Sequence, residues 1–413
     1  MKRLLSMALA VLLLLSLSAC KQAKTVPGPT ESDPVLSARR DDAEAFMRQM
    51  CTVLWTPEED ILYTTQSSTD PSAADPNKQF LLKAGRTYRG IPYSFAGSTT
   101  AAFLEYSTGS DASGIHTISD LPWQALSGNS HKARIGTDGS SALILSWGQL
   151  GANIPLNSSP AMTQKRGFMP VGGYANNPTK IEKTIELCAT NGTAVMYSAY
   201  AQMMKADGLV ANTETGGHSM MVVSVSITYN EDGTINGDES YVTVLEQTKD
   251  HFLAEETYED PTLGQVYIIA GVDVKYTFTQ LYETGHLPIT CQALTDVSQV
   301  RDIRISQTNS PSNVDEFFQG YVDSNYYIDS LIATVYDQDG KVVQECAVRT
   351  ARSDKRQIEI AQIQKDTTAG KRGAIDLAAL SPGAYRITLT CRLANGHAEI
   401  LREMPFNIKE PQA

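Results

Sequence analysis

The sequence predicts an α+β region over 39–286, followed by an all-β sandwich over 287–413. Three observations carry this. Apolar residues recur at helical spacing early in the chain, as at Ala43, Phe46, Met47, Met50, Val53 and Leu54. From Gly217 the period changes to that of strands, with Asn230-Glu-Asp-Gly233 as a hairpin-type turn. Past Leu287 short strand patterns alternate with turns, the pattern of a two-sheet sandwich.

Taken in order, the chain opens with Lys2 and Arg3, an apolar run from Leu4 to Leu17, and Ser18-Ala19-Cys20. A positive start, a short hydrophobic stretch and small residues before a cut make a secretory signal over 1–19. The run is too short for a comfortable membrane span of roughly 20 residues. Leu17-Ser18-Ala19-Cys20 resembles the lipobox of bacterial lipoproteins. The resemblance implies acylation of Cys20, a membrane anchor and a place on the bacterial cell surface or periplasmic face. Residues 20–38 are polar and carry Pro27, Pro29 and Pro34, which predicts a flexible tether.

Residues 39–60 read as helix, with Thr56-Pro57-Glu58-Glu59 as a fresh cap. Ser67 to Lys78 reads as a loop, and Lys83 to Gly97 as a turn leading into an ordered cleft loop. Ser140 to Leu150 is a predicted helix. Thr179 and Glu182 have capping-box spacing, with a strand through Ile181 as the alternative. Val195 to Met204 reads as helix, or as a strand running into one. His218 to Ile227 and Tyr241 to Gln247 are strands, and Gln265–Ile269 and Val274–Phe278 complete the antiparallel set. The last region predicts strands at 302–306, 330–336, 341–343, 357–360, 386–391 and 398–401. Leu380-Ser-Pro-Gly-Ala-Tyr-Arg-Ile387 resembles the edge of immunoglobulin-like accessory modules on surface proteins.

The formal charge is −12, and two units more negative once Lys2 and Arg3 leave with the signal. No basic run is present to track a nucleic-acid backbone, so nucleic acid is not an expected partner. There is no Walker A sequence and no His-Glu-x-x-His helix, so no metal or cofactor is expected. Cys51, Cys188, Cys291, Cys346 and Cys391 form no Cys-x-x-Cys pair. Cys346 and Cys391 lie in strand-like stretches, as a disulfide or as two buried thiols.

Two stretches point to chemistry. Gly136-Thr-Asp-Gly-Ser-Ser-Ala-Leu143 opens an apolar helix, and Gly216-Gly-His-Ser-Met-Met-Val-Val223 opens a strand. A helix start favours negative charge on a nucleophile, and a histidine on a facing strand can take its proton. Together with Tyr93-Ser-Phe-Ala-Gly97, these segments resemble the NlpC/P60 superfamily of papain-like cell-wall hydrolases. That family has a Tyr-x-x-Gly-Gly region, an Asp-Cys-Ser-Gly-hydrophobic motif at a helix start, a strand-opening histidine and a polar third residue. The resemblance covers roughly 80–260. It implies a papain-like fold over 39–286, His218 as general base and peptidoglycan stem peptides or related wall fragments as partners. Glu246 or Gln247 would orient the base, Tyr93 would touch substrate, and Asp138 would cap the helix or touch substrate.

The departure lies at the nucleophile. The family's cysteine position holds Gly139, which has no side chain to attack a carbonyl. Three explanations stand: a degenerate site that only binds, a glycine introduced into an active enzyme, or a shifted nucleophile at Ser140. One residue along a helix turns a side chain by about 100°. Among the histidines, His116, His131, His251, His286 and His397 read mainly as surface residues.

Overall fold

A computed structural model describes residues 24–64, 79–121, 123–125, 131–133, 135–152, 154, 166–176, 183–213, 216–298, 301–306, 311–349, 355–365, 371–394 and 397–409. The signal, Cys20, the 67–78 loop and the Thr179–Glu182 capping box lie outside them. The chain is an α+β fold with several largely antiparallel sheets.

The first core is built on a seven-stranded sheet. Its strands are β1 (Lys24–Pro27), β2 (Phe168–Pro170), β3 (Gly208–Thr213), β4 (Gly216–Tyr229), β5 (Tyr241–Glu246), β6 (Gly271–Thr277) and β7 (Leu287–Cys291). They lie in the order β2-β7-β3-β4-β5-β6, with β1 paired to the far end of β4. Helix α1 (Pro34–Thr52) and helix α2 (Gly139–Gly148) pack together and against this sheet. Helix α3 (Thr184–Tyr200) packs on β3, β7 and α4 (Phe278–Glu283). Every residue of α2 is buried, Trp147 and Leu143 included, which explains its apolar sequence.

Four expectations are corrected here. The tether is structured from Lys24: β1 pairs its backbone with Ser226–Tyr229, and α1 already starts at Pro34 with Asp33 capping it. Those residues bury little apolar surface themselves, but an existing sheet edge satisfies their backbone. The helix expected to 60 ends at Thr52, and Leu54–Pro57 is a strand. Trp55 is fully buried there, paired with Tyr88 on one side and His116 on the other. Gly264–Ile268 does not join the main sheet. It runs parallel to Thr87–Arg89 in a separate six-stranded sheet. Finally, the boundary at 287 falls too early. β7 pairs with β2 and β3, and Leu287, Ile289, Cys291, Ala293 and Leu294 sit in the first core.

The second core begins after these residues. Strands β8 (Ile328–Asp337), β9 (Val342–Arg349), β10 (Lys371–Gly373), β11 (Gly383–Leu393) and β12 (Ala398–Ile408) form a sheet in the order β10-β9-β8-β11-β12. A three-stranded sheet of 303–306, 321–324 and 357–359 contributes Val322 and Ile358 to the same core. Cys346 and Cys391 are free buried thiols. They pair with opposite sides of β8, so two strand spacings of about 4.8 Å separate them, beyond disulfide reach.

Candidate functional site

The start of α2 meets the start of β4. Asp138 caps the helix: one carboxylate oxygen accepts from the Ser141 N–H at 2.8 Å, the other from the Ser141 hydroxyl at 2.9 Å. Burial pushes the Asp138 carboxyl above its usual range, against the pull of the Ser141 bonds and of nearby His218. The loop before it is tied to the Tyr93 segment. Ser94 N–H donates to the Thr137 carbonyl and Thr137 N–H to that of Pro92. Tyr93 is half-buried, with Phe95 edge-on to its ring at 5.8 Å. Burial, then the charges of Asp138 and Asp250, push its phenol up to about 12.

Gly139 is enclosed by backbone. A Cβ there would stand 2.3 Å from the Ser219 carbonyl oxygen and 3.2 Å from that of Gln247. Neither is a flexible side-chain tip, so position 139 has no room for a side chain without moving β4 or α2. Ser140 has a side chain, but its hydroxyl lies 2.9 Å from the Ser219 hydroxyl, and both residues are buried.

Side chains alternate across a strand. Ser219 faces α2, so His218 is directed to the other face. There its Nε2 lies 2.7 Å from Glu246 Oε2. Glu246 is buried and also accepts from the Tyr276 hydroxyl at 3.0 and 3.2 Å and from His251 Nε2 at 3.2 Å. Burial alone would raise the Glu246 carboxyl. Hydrogen bonds from His218 and His251, with their charges, outweigh it and hold the group at about 2. Glu246 is therefore an acceptor only, and His218 Nε2 carries the proton. The other ring nitrogen of His218, Nδ1, makes no hydrogen bond among the described residues. The ring is partly exposed.

His251 is clamped between two carboxylates, with Nδ1 2.7 Å from Glu256 Oε2. Two acceptors require two ring protons. The Glu246 bond raises its pKa most, against the opposing effect of burial, and Glu256 adds to it. His286 stands edge-on to His218, with ring centroids 6.1 Å apart. Its Nδ1 lies 2.8 Å from the Thr284 hydroxyl, while Nε2 is buried with no hydrogen-bond partner among the described residues. Burial, then the His218 charge, push His286 down to about 3, so it is neutral near pH 7.

The structure thus brings Tyr93, Asp138, Gly139, Ser140, His218 and Glu246 into one neighbourhood. It joins His218 to Glu246, but it does not join Ser140 to His218. Gln247 turns the other way and donates to the Met50 carbonyl. Cys51 and Cys188 are buried thiols, pushed up by that burial to about 12 and about 11, far from nucleophilic thiolates. His251, Tyr276 and His286 were missed as site members, and the surface reading of His251 and His286 is corrected. His251 lies between polar Thr248–Asp250 and apolar Phe252–Ala254, and only the fold shows that it turns back to Glu246. No family model matches the chain, and no curated protein matches it.

Proposed function

We propose that the chain is a surface lipoprotein, anchored through Cys20, whose first region descends from papain-like NlpC/P60 wall hydrolases and binds wall peptides without cutting them. The immunoglobulin-like sandwich would follow as an accessory module. One observation carries the loss of catalysis: the Cβ direction at Gly139 runs into the backbone of β4. This supports a glycine built into the packing over one substituted into an active enzyme. The Ser140–Ser219 hydroxyl pair argues in the same direction, because it turns Ser140 away from His218. What persists is a recognition group. The Glu246–His218 pair holds the imidazole in place and leaves its Nδ1 for a polar group of a peptide, and Tyr93 and Asp138 lie near it. Such a site binds without an attacking atom within about 3 Å of the base.

Purified muropeptides incubated with residues 21–413 provide the test, with fragments read by mass and binding by calorimetry. Binding without cleavage is expected, and His218→Ala should weaken it at least tenfold. Gly139→Cys should release no fragments. Cleavage that vanishes in Ser140→Ala would replace this reading with a serine-dependent hydrolase. Neither binding nor cleavage would remove the wall reading.

A further inference from the structure

A cavity of about 390 Å³ opens behind His251, between Thr87–Arg89, Gly264–Ile268 and the short helix Asp250–Leu253. Its volume falls in the range of small-ligand sites, roughly 300–1,000 Å³. Aromatic rings form part of its lining: Tyr88 stands 5.7 Å from Tyr267 and 6.4 Å from Phe252, centroid to centroid. Both signs of charge line the same space. The Arg86 guanidinium lies over the Tyr267 ring at 4.4 Å and bonds the Tyr88 side chain, and it shares the charge of Asp60 with Lys83, which also lines the cavity and pairs with Asp60 at 2.9 Å. Glu255 also lines the cavity, is exposed, and has no cationic partner among the described residues. It stands at φ +49°, a left-handed backbone that glycine takes more easily, yet the chain carries a carboxylate there. Glu256 completes the acidic side and holds His251.

Lys83 and Arg86 share the single Asp60 carboxylate, and Glu255 lines the same cavity without an ion pair among the described residues, so both signs of charge are left for a ligand. We propose that this cavity binds a short peptide with free ends, its carboxylate on Arg86, its ammonium at Glu255 and Glu256, and its apolar part against Tyr88 and Phe252. Arginine suits the carboxylate, because its planar fork matches two oxygens. An ammonium at Glu256 competes with His251 for that carboxylate. Since His251 also bonds Glu246, and Glu246 bonds His218, occupancy of the cavity is felt at the recognition pair. The assignment requires no wall ancestry and no catalysis.

The test titrates residues 21–413 with trialanine, N-acetyl-trialanine and trialanine amide by calorimetry, and follows the His251 ring nitrogens by NMR. Free trialanine should bind and shift the His251 signals, and blocking either end should weaken binding at least tenfold. Arg86→Gln should erase the penalty for the amide, and Glu255→Gln should reduce the penalty for the acetyl group. Glu255 is exposed and Arg86 half-buried, and a circular dichroism melt checks the folding of both variants. Absence of trialanine binding at millimolar concentration, or equal binding of all three peptides, would overturn the proposal. Trialanine binding in a chain that ignores muropeptides would keep this site and sink the wall reading. Muropeptide binding sensitive to His218→Ala, without trialanine binding, would do the reverse.

Discussion

The two faces of β4 at His218 and Ser219 handle polar groups in opposite ways. On the α2 face, Gly139, Ser140 and Ser219 are packed until no space remains, and the hydroxyls satisfy each other. On the other face, one buried carboxylate gathers two histidines and a tyrosine, and His218 Nδ1 makes no hydrogen bond among the described residues. The first arrangement is what close helix–sheet contact requires. The second costs desolvation, which only several hydrogen bonds to the same charge can offset. A motif that resembles a nucleophile's seat is thus accounted for by packing, whereas the Glu246 cluster is more than packing needs.

The largest effect expected from breaking this contrast is at Glu246. Glu246→Ala leaves His218, His251 and Tyr276 without their shared acceptor, and should cost about 3–5 kcal/mol in urea unfolding, the range for breaking a buried ion pair. Gly139→Ala should cost about 3 kcal/mol, because a single methyl meets backbone that cannot rotate away. Equal stability of Gly139→Ala and the parent would show that α2 moves freely, and would reopen position 139 as a nucleophile's seat.

The pH dependence of stability separates the same face into two arms. The Glu246 carboxyl sits at about 2 in the fold against 4.5 as its ordinary value. Its contribution is therefore present above pH 4.5 and is lost as pH falls towards 2, by about 3 kcal/mol in all. The pKa of His251 is raised, so its contribution is full below the unfolded histidine value and is lost as pH rises through the folded one. Urea melts from pH 2 to 9 should show both arms, and His251→Gln should remove the alkaline one. The smallest effect is at Ser140→Ala, about 1 kcal/mol for one hydrogen bond. A much larger loss would mean that the Ser140–Ser219 pair holds β4 on α2.

Much of the site could be read from residues alone, and for identifiable reasons. Asp138 before a small, apolar run signals a capped helix, and α2 starts where that rule puts it. His218 opening an apolar strand and Glu246 closing the next one were candidates because a hairpin brings such ends together. Register then pairs Met220 with Glu246, which puts the carboxylate beside His218 on the same face. His251 and His286 could not be read this way. The role of His251 depends on a one-turn helix folding back on Glu246, and that of His286 on a distant strand start, and no local period records either return.

Local order and hydrophobic period by themselves determined the α+β start, the late strands, the capped apolar helix and the pairing of His218 with Glu246 as a possibility. Their physics is short-range: periodicity, capping and turn formation act within a few residues. Only the tertiary structure decided that Lys24–Pro27 is a strand, that Leu287–Cys291 belongs to the first core, and that Gly139 has no space for a side chain. Each of these depends on which distant backbone lies alongside, and that is set when α1 and α2 pack against the sheet.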